Sequence, residues 1–241
     1  VSDIRAEKFS LEKSAYEQRA YFEENDSRLP WVQITKVNDF NKGLNISSCY
    51  NKGKTPLYRL AGTPKGRGLL NLWFEEDIES FKSIVPEAWS KPCEEGPFKG
   101  VTPLYWLAGN PEGCGLLKLW FEEDIESFKS IEPEAWGKPC EAGRYKGTTT
   151  LWWLAENPDG CALLRLWLEN DIESFKSIVP EALSKPCEGG LYKGTTTLWW
   201  LARNPEGLAL LRLWLEKDVD SFNGIVPEAW SQACEGDILK G

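Results

Sequence analysis

The chain has 241 residues, of which 41% are hydrophobic and 27% are charged, and its formal net charge is −9. This composition supplies enough apolar material for a buried core. No apolar run reaches the roughly 18 residues that a membrane-spanning helix needs. We therefore expect no membrane as a partner. An acidic surface repels phosphate groups, so we also expect no nucleic acid; a protein with a basic surface is the more plausible partner, although an acidic face in contact with solvent alone is the commoner case.

A Lys-Gly pair recurs with its glycine at positions 53, 100, 147, 194 and 241, so each step is 47 residues. This period predicts a tandem array of four units, 53–99, 100–146, 147–193 and 194–240, in one continuous solenoid. Residues 1–52 fit the period poorly, and we interpret them as a divergent N-terminal unit that caps the array. The chain begins with Val and stops at the first residue of a fifth unit, so we expect a piece of a longer protein.

Within the second unit, caps and helix breakers predict four short elements in order. Thr102 and Pro103 are typical of a helix start and predict a first helix over "PLYWLA". "GNPEG" at 109–113 predicts a break before a second, leucine-rich helix. Asp124 caps a third helix, and Pro133 ends that helix or restarts it as the turn "PEAW". The remaining glycines and proline predict an extended or hairpin-like connection to the next unit, so the predicted fold is all-α.

The start of each unit resembles an ankyrin repeat, whose first helix opens with G-x-T-P-L-H-x-A-A. The matching segments are "GVTPLYWLA" at 100–108, "GKTPLYRLA" at 53–61, and "GTTTLWWLA" at 147–155 and 194–202. This resemblance implies a right-handed helical solenoid built from helix pairs. Ankyrin units have about 33 residues, so "DIESFKSIVPEAW" is an additional helical segment, and the 47-residue unit falls in the length range of HEAT and armadillo repeats.

Two departures from the ankyrin pattern bear on the fold and on the source of the chain. The motif histidine is replaced at four positions, Tyr58, Tyr105, Trp152 and Trp199. The loops must therefore be held in another way. Arrays of unusual unit length resemble, in style, ankyrin-like effectors that intracellular bacteria deliver into host cells, and this implies a place of action in the cytoplasm, including that of a host cell.

The chain contains no histidine, which removes the commonest general base and the commonest metal ligand. Of the seven cysteines, Cys93, Cys140, Cys187 and Cys234 follow the repeat period. A nucleophile is needed once rather than four times, so we favour reduced, buried structural thiols over catalysis, in a cytoplasmic environment. Cys114 and Cys161 share a position with Arg67 and Leu208, which predicts a site near the surface.

Four carboxylates of the second unit are candidates for acid–base catalysis or calcium binding: Glu122, Glu123, Asp124 and Glu126. We favour acidic residues that complement the dipole of a helix N-terminus, because the segment lacks the pattern of a calcium loop. We therefore predict no enzyme activity, no metal and no cofactor.

The tryptophans fall into columns at the repeat period, and packing in the core is the favoured interpretation of each column. The columns are Trp73, Trp120, Trp167 and Trp214; Trp106, Trp153 and Trp200, for which binding is the alternative; and Trp89, Trp136 and Trp230, with Leu183 in the third unit.

Positions that differ between otherwise similar units are candidates for function, although neutral drift at exposed sites explains them equally well. They precede the Lys-Gly pair, follow its glycine, or follow the first helix. The candidate partner-binding residues are Phe98, Val101, Arg144, Tyr145, Thr148, Glu156, Leu191, Tyr192, Thr195 and Arg203. Their position in ankyrin-like proteins implies a monomeric, non-catalytic protein–protein interaction module. The alternatives are a structural spacer and the substrate-recognition arm of a larger enzyme or effector.

Overall fold

The computed structural model describes residues 54–178 and 180–225, all of them in one unit of the chain, Tyr50–Lys240. These residues form fifteen α-helices and three short 3-10 turns, and none of them lies in a strand. The all-α prediction is therefore confirmed. The predicted cap at 1–52, Cys234 and Trp230 lie outside the described residues. None of the described helices is long and apolar enough to cross a bilayer.

The same helices recur from unit to unit. The first helices are α1 (Pro56–Gly62), α5 (Pro103–Ala108), α9 (Thr150–Glu156) and α13 (Thr197–Arg203). The second helices are α2 (Pro64–Glu76), α6 (Pro111–Glu123), α10 (Pro158–Asn170) and α14 (Pro205–Lys217). The third helices are α3 (Ile78–Lys82), α7 (Ile125–Lys129), α11 (Ile172–Ile178) and α15 (Val219–Asn223). The fourth are α4 (Pro86–Ser90), α8 (Glu134–Gly137) and α12 (Pro180–Ser184).

The predicted caps begin the first and third helices. The Thr102 hydroxyl accepts a hydrogen bond from the backbone N–H of Tyr105 at 3.1 Å, and the Asp124 carboxylate accepts one from Ser127 at 2.9 Å. Each satisfies a backbone donor that the first turn of a helix leaves without an internal partner.

The predicted break between the first and second helices is shorter than expected, because α6 already begins at Pro111. Proline is well suited to the first position of a helix, where its missing N–H costs nothing. Gly113 lets the two helices approach closely, since a Cβ atom there would lie 2.3 Å from the Leu107 carbonyl oxygen.

Aromatic side chains form a core that continues from one unit into the next. The Phe128 ring lies 5.6 Å from Trp120 and 5.2 Å from Trp136 of its own unit, and 5.1 Å from Trp167 of the following unit. These rings are almost fully buried. The predicted core columns of the second and fourth helices are therefore confirmed for the described residues, including Leu183, which replaces a tryptophan at 2% exposure.

Polar side chains also connect neighbouring units within this packing. The Tyr105 hydroxyl shares a hydrogen bond of 2.5 Å with the Thr148 hydroxyl, and the Trp152 indole N–H donates to Thr195 at 3.1 Å. Both pairs join a first helix to the residue that follows the next linker glycine. These hydrogen bonds hold the loops against the first helices.

A ladder of ion pairs crosses the same boundaries at the third helices. The Lys Nζ to Asp Oδ2 distances are 2.9, 2.6 and 2.8 Å for the pairs Lys82–Asp124, Lys129–Asp171 and Lys176–Asp218. Each aspartate is also the N-cap of a third helix. One side chain therefore starts its own helix and connects it to the preceding unit.

The predicted hairpin-like connections are loops built around 3-10 turns, which we call the linker turns: Gly96–Phe98, Gly143–Tyr145 and Gly190–Tyr192. In the middle loop, Cys140 N–H donates to Thr148 O and Gly147 N–H donates to Cys140 O, both at 2.8 Å. Gly147 has φ +89°, a region that favours glycine. The Glu141 N–H donates to Lys99 O at 2.8 Å, so successive loops are bonded to each other.

The periodic cysteines Cys93, Cys140 and Cys187 are buried thiols, as predicted. The prediction that Cys114 and Cys161 lie near the surface is wrong, because both are fully buried. Burial raises the pKa of the Cys161 thiol to about 12, and it also raises the pKa of Cys114.

Arg67 shows why this buried position accepts a polar side chain. Its Nε atom lies 3.0 Å from a Glu112 carboxylate oxygen of the next unit, and its Nη1 donates to Ala61 O at 3.3 Å. The guanidinium is buried because the neighbouring unit supplies its counter-charge.

Candidate protein-binding surface

The structure divides the ten predicted site residues into a surface group and a buried group. Seven are exposed or half-exposed: Phe98, Arg144, Tyr145, Glu156, Leu191, Tyr192 and Arg203. Leu191 is a large apolar side chain that is 44% exposed. Four of the seven belong to the linker turns Gly143–Tyr145 and Gly190–Tyr192.

The prediction that Val101, Thr148 and Thr195 lie at a binding surface is wrong, because each is 0% exposed. The residue after the linker glycine faces the preceding unit, where the threonine hydroxyls meet Tyr105 and Trp152. A partner cannot touch this buried position directly.

Aromatic rings of the linker turns rest on tryptophans of the first helices. The Phe98 ring lies 5.3 Å from Trp106, the Tyr145 ring lies 5.6 Å from Trp153, and the Tyr192 ring lies 4.6 Å from Trp152. Each turn is thereby fixed on a helix rather than projecting into solvent. The side chains on it are held in place before any partner arrives.

The rings of successive turns also meet one another. Tyr145 and Tyr192 are stacked, with ring centroids 6.4 Å apart and planes inclined by 13°. We call the surface made by Phe98, Arg144, Tyr145, Leu191 and Tyr192 the linker-turn face. It crosses three units and mixes apolar, hydroxyl and cationic groups.

Arginines lie over rings in the middle linker turn and on the first helix of the fourth unit. The Arg144 guanidinium carbon lies 4.5 Å from the Tyr145 centroid, and an Arg144 nitrogen also donates to the Tyr145 hydroxyl. Arg203 lies 5.1 Å from the Trp199 ring and 5.7 Å from the Trp200 ring. Glu156 occupies the place of Arg203 one unit earlier, so the charge beside the first helix changes sign between units.

The structure adds tryptophans that sequence reasoning had assigned to the core. Trp153 is buried at 7% exposure, which confirms the core interpretation for that residue, whereas Trp106 and Trp200 are half-exposed. No sequence signal separates the three, since they occupy the same position in consecutive units. Their exposure depends on the neighbours that each unit meets.

A shallow groove of about 200 Å³ runs between second helices on another part of the surface. Its lining is Lys118, Glu122, Ala162, Arg165, Leu166, Glu169 and Glu206. The charges pair along each helix, with Arg165 Nε 3.3 Å from Glu169 and Lys118 Nζ 3.8 Å from Glu122. Because these side-chain charges already neutralise one another, the groove has little net charge with which to attract a small charged ligand.

The carboxylates of the second unit have structural partners. The Asp124 carboxylate accepts from Ser127 N–H and contacts Lys82, and these two groups lower the pKa of Asp124. Among the residues described, no group of three or more cysteines and carboxylates is placed to hold a metal ion.

Comparison with known proteins gives no relative for this chain. It has no match to a protein-family model and no significant match to a curated protein or to a solved structure.

Proposed function

We propose that the chain is a non-catalytic protein–protein interaction module, a right-handed helical solenoid of ankyrin-like 47-residue units. Its partner binds along the linker-turn face and the adjoining first helices. Support for the array comes from helices and inter-unit contacts that recur with the sequence period. Support for the binding role comes from the surface group of predicted residues.

The observation that carries the proposal is the stacked pair Tyr145 and Tyr192, held against first-helix tryptophans. Tyrosine, tryptophan and arginine dominate the energetics of protein interfaces, because they offer large contact area for few rotatable bonds. Rings that are already packed lose little further entropy when a partner binds. Leu191, beside them, supplies an exposed apolar contact.

The charge of the units supports a partner with a basic surface. Glu79, Glu126 and Glu173 have side chains that are 79–81% exposed and lie 3.0–3.2 Å from the ladder lysines. Each lysine of the ladder thus pairs with one glutamate and one aspartate, so each group of three side chains carries one net negative charge. A repeated negative charge accelerates association with a basic partner.

We propose that the module acts in the reducing cytoplasm, and in that of a host cell if it is delivered as an effector. The buried, protonated thiols support this location, since they gain nothing from an oxidising compartment. The absence of histidine from the sequence supports a role without catalysis.

Affinity purification followed by mass spectrometry tests this function. The test variant combines Arg144→Ala, Tyr145→Ala and Tyr192→Ala. The matched control combines Leu72→Ala and Leu119→Ala, which remove exposed apolar side chains of the second helices, 47% and 42% exposed. Both proteins are first compared with the wild type by circular dichroism and thermal unfolding.

The proposal predicts partners that both the wild type and the control capture, and that the triple variant loses by at least about tenfold, the equivalent of about 1.4 kcal/mol. Equal capture of every partner by a folded triple variant contradicts it.

A further inference from the structure

Four positions are buried in the first three units and uncovered in the fourth. In the first three units, the exposure of the residues at these positions is at most 7%. Position by position, they are Tyr58, Tyr105 and Trp152; Ala61, Ala108 and Ala155; Arg67, Cys114 and Cys161; and Phe74, Phe121 and Leu168. In the fourth unit, Leu208 is 52% and Leu215 is 41% exposed, Ala202 is exposed and Trp199 is half-exposed. We call these four residues the end face.

Within the array, the following unit covers these positions. First helices pack on first helices and second helices on second helices, as α9 does on α13 and α10 on α14. The Tyr105 ring lies 5.9 Å from Trp153, and the Phe121 ring lies 6.0 Å from Trp167. The structure therefore contains three examples of what covers such a face.

We infer that the end face is a docking surface for one further helix pair of the same kind. The Trp199 indole N–H donates a hydrogen bond to the hydroxyl of a threonine in the position of the docked pair that corresponds to Thr195. The Trp152 indole N–H donates to Thr195 in the same way at 3.1 Å. Leu215 packs on a second-helix tryptophan of the docked pair, as Phe121 does on Trp167. The inference rests on the internal contacts between units and does not depend on the linker-turn face binding a partner.

One internal contact is not available to the fourth unit. Lys82, Lys129 and Lys176 each hold an aspartate of the next unit, and Asn223 stands at the corresponding position. The end face therefore offers the apolar part of the inter-unit contact without its ion pair. This difference provides a specific test of the geometry.

The test extends the full chain with a unit of known sequence. Joining a copy of residues 148–193 directly after Gly241 continues the 47-residue spacing of the Lys-Gly pair. Hydrogen exchange of α13 and α14 is then measured with and without the extension. We expect exchange at least about tenfold slower in the extended protein, and no slowing in an extended Leu208→Glu/Leu215→Glu variant.

Asn223→Lys adds a second readout. It should slow exchange of α15 further in the extended protein, where an aspartate comes within reach, and leave the original chain unchanged. Equal exchange of α13 and α14 with and without the extension overturns the inference. So does a dimer of the original chain that Leu208→Glu/Leu215→Glu dissociates in sedimentation experiments, since a second copy would then be the occupant.

Discussion

At the scale of single residues, a position that sequence comparison between units had suggested was functional is buried against the preceding unit. Tyr105 shares a hydrogen bond with Thr148, and in the preceding unit the corresponding residues are Tyr58 and Val101. The Tyr58 hydroxyl is buried and has no hydrogen-bond partner among the described residues. Burial raises the pKa of this hydroxyl well above its ordinary value.

Val101→Thr should therefore stabilise the protein by about 0.5–1.5 kcal/mol, because the new hydroxyl gives Tyr58 a partner. Thr148→Val should cost about 1–3 kcal/mol, because it leaves the Tyr105 hydroxyl buried without a partner. Urea denaturation measures both changes. In a Tyr58→Phe background the gain from Val101→Thr should disappear, and a gain that persists there would show that the hydroxyl pair is not its cause.

The sequence could not have placed Val101, Thr148 and Thr195 in the interior. Their variation looked like that of a surface, and only the structure shows that all three are buried and that the two threonine hydroxyls meet side chains of the preceding unit. The exposure of Leu191 and Tyr192 was predictable, because connecting loops run over the surface of a protein.

At the scale of helices, capping residues and prolines predicted well where the helices begin. Close packing between helices determined the one boundary that they did not predict. Thr102, Pro103 and Asp124 begin helices as their chemistry predicts. The break at 109–113 was predicted too long, since the glycine in it serves close packing rather than a turn. Substitution of the two glycines of this helix, Gly113 and Gly115, distinguishes close packing from helix propensity.

Gly113→Ala should destabilise the protein by about 1–3 kcal/mol, because its Cβ would meet the Leu107 carbonyl oxygen at 2.3 Å. Gly115→Ala is the matched control in α6, where a Cβ meets no atom within 4 Å. It should stabilise the protein by up to about 1 kcal/mol through helix propensity. Thermal unfolding of the two variants would contradict this account if both shifted in the same direction.

At the scale of the whole molecule, the lysine–aspartate ladder makes stability depend on acid pH. Lys129, and then the Ser174 backbone N–H, lower the pKa of Asp171 below its ordinary value. Because the folded-state pKa is the lower one, this stabilisation is complete above the unfolded pKa of about 4. It is lost as the pH falls below that value toward the folded pKa.

Lys129→Met should therefore destabilise the protein at pH 7, and by much less once Asp171 is protonated in both proteins. Lys118→Met is the control, because its partner Glu122 lies 3.8 Å away in the same helix and joins no other unit. Denaturation between about pH 2 and 7 measures the difference. A penalty for Lys129→Met that stayed constant with pH would show that the ladder is not its source.

The 47-residue period, the all-α class and the buried columns could be read from sequence because every unit repeats the same local signals. The exposure of individual side chains could not be read from sequence, since it depends on whether another unit packs against them. Cys114 is fully buried, whereas Leu208, at the same position of the last unit, is 52% exposed. The chemistry of the linker turns is likewise visible in sequence, but the stacking of Tyr145 on Tyr192 is not.

Site-specific photo-crosslinking tests the central claim, that a protein partner binds along the linker-turn face, most directly. A photoreactive phenylalanine replaces Leu191 in one protein and Leu72 in another, two leucines of similar exposure at 44% and 47%. The account predicts that partners captured from lysate crosslink at position 191 and not at position 72. Crosslinking at position 72 with none at 191 would contradict it.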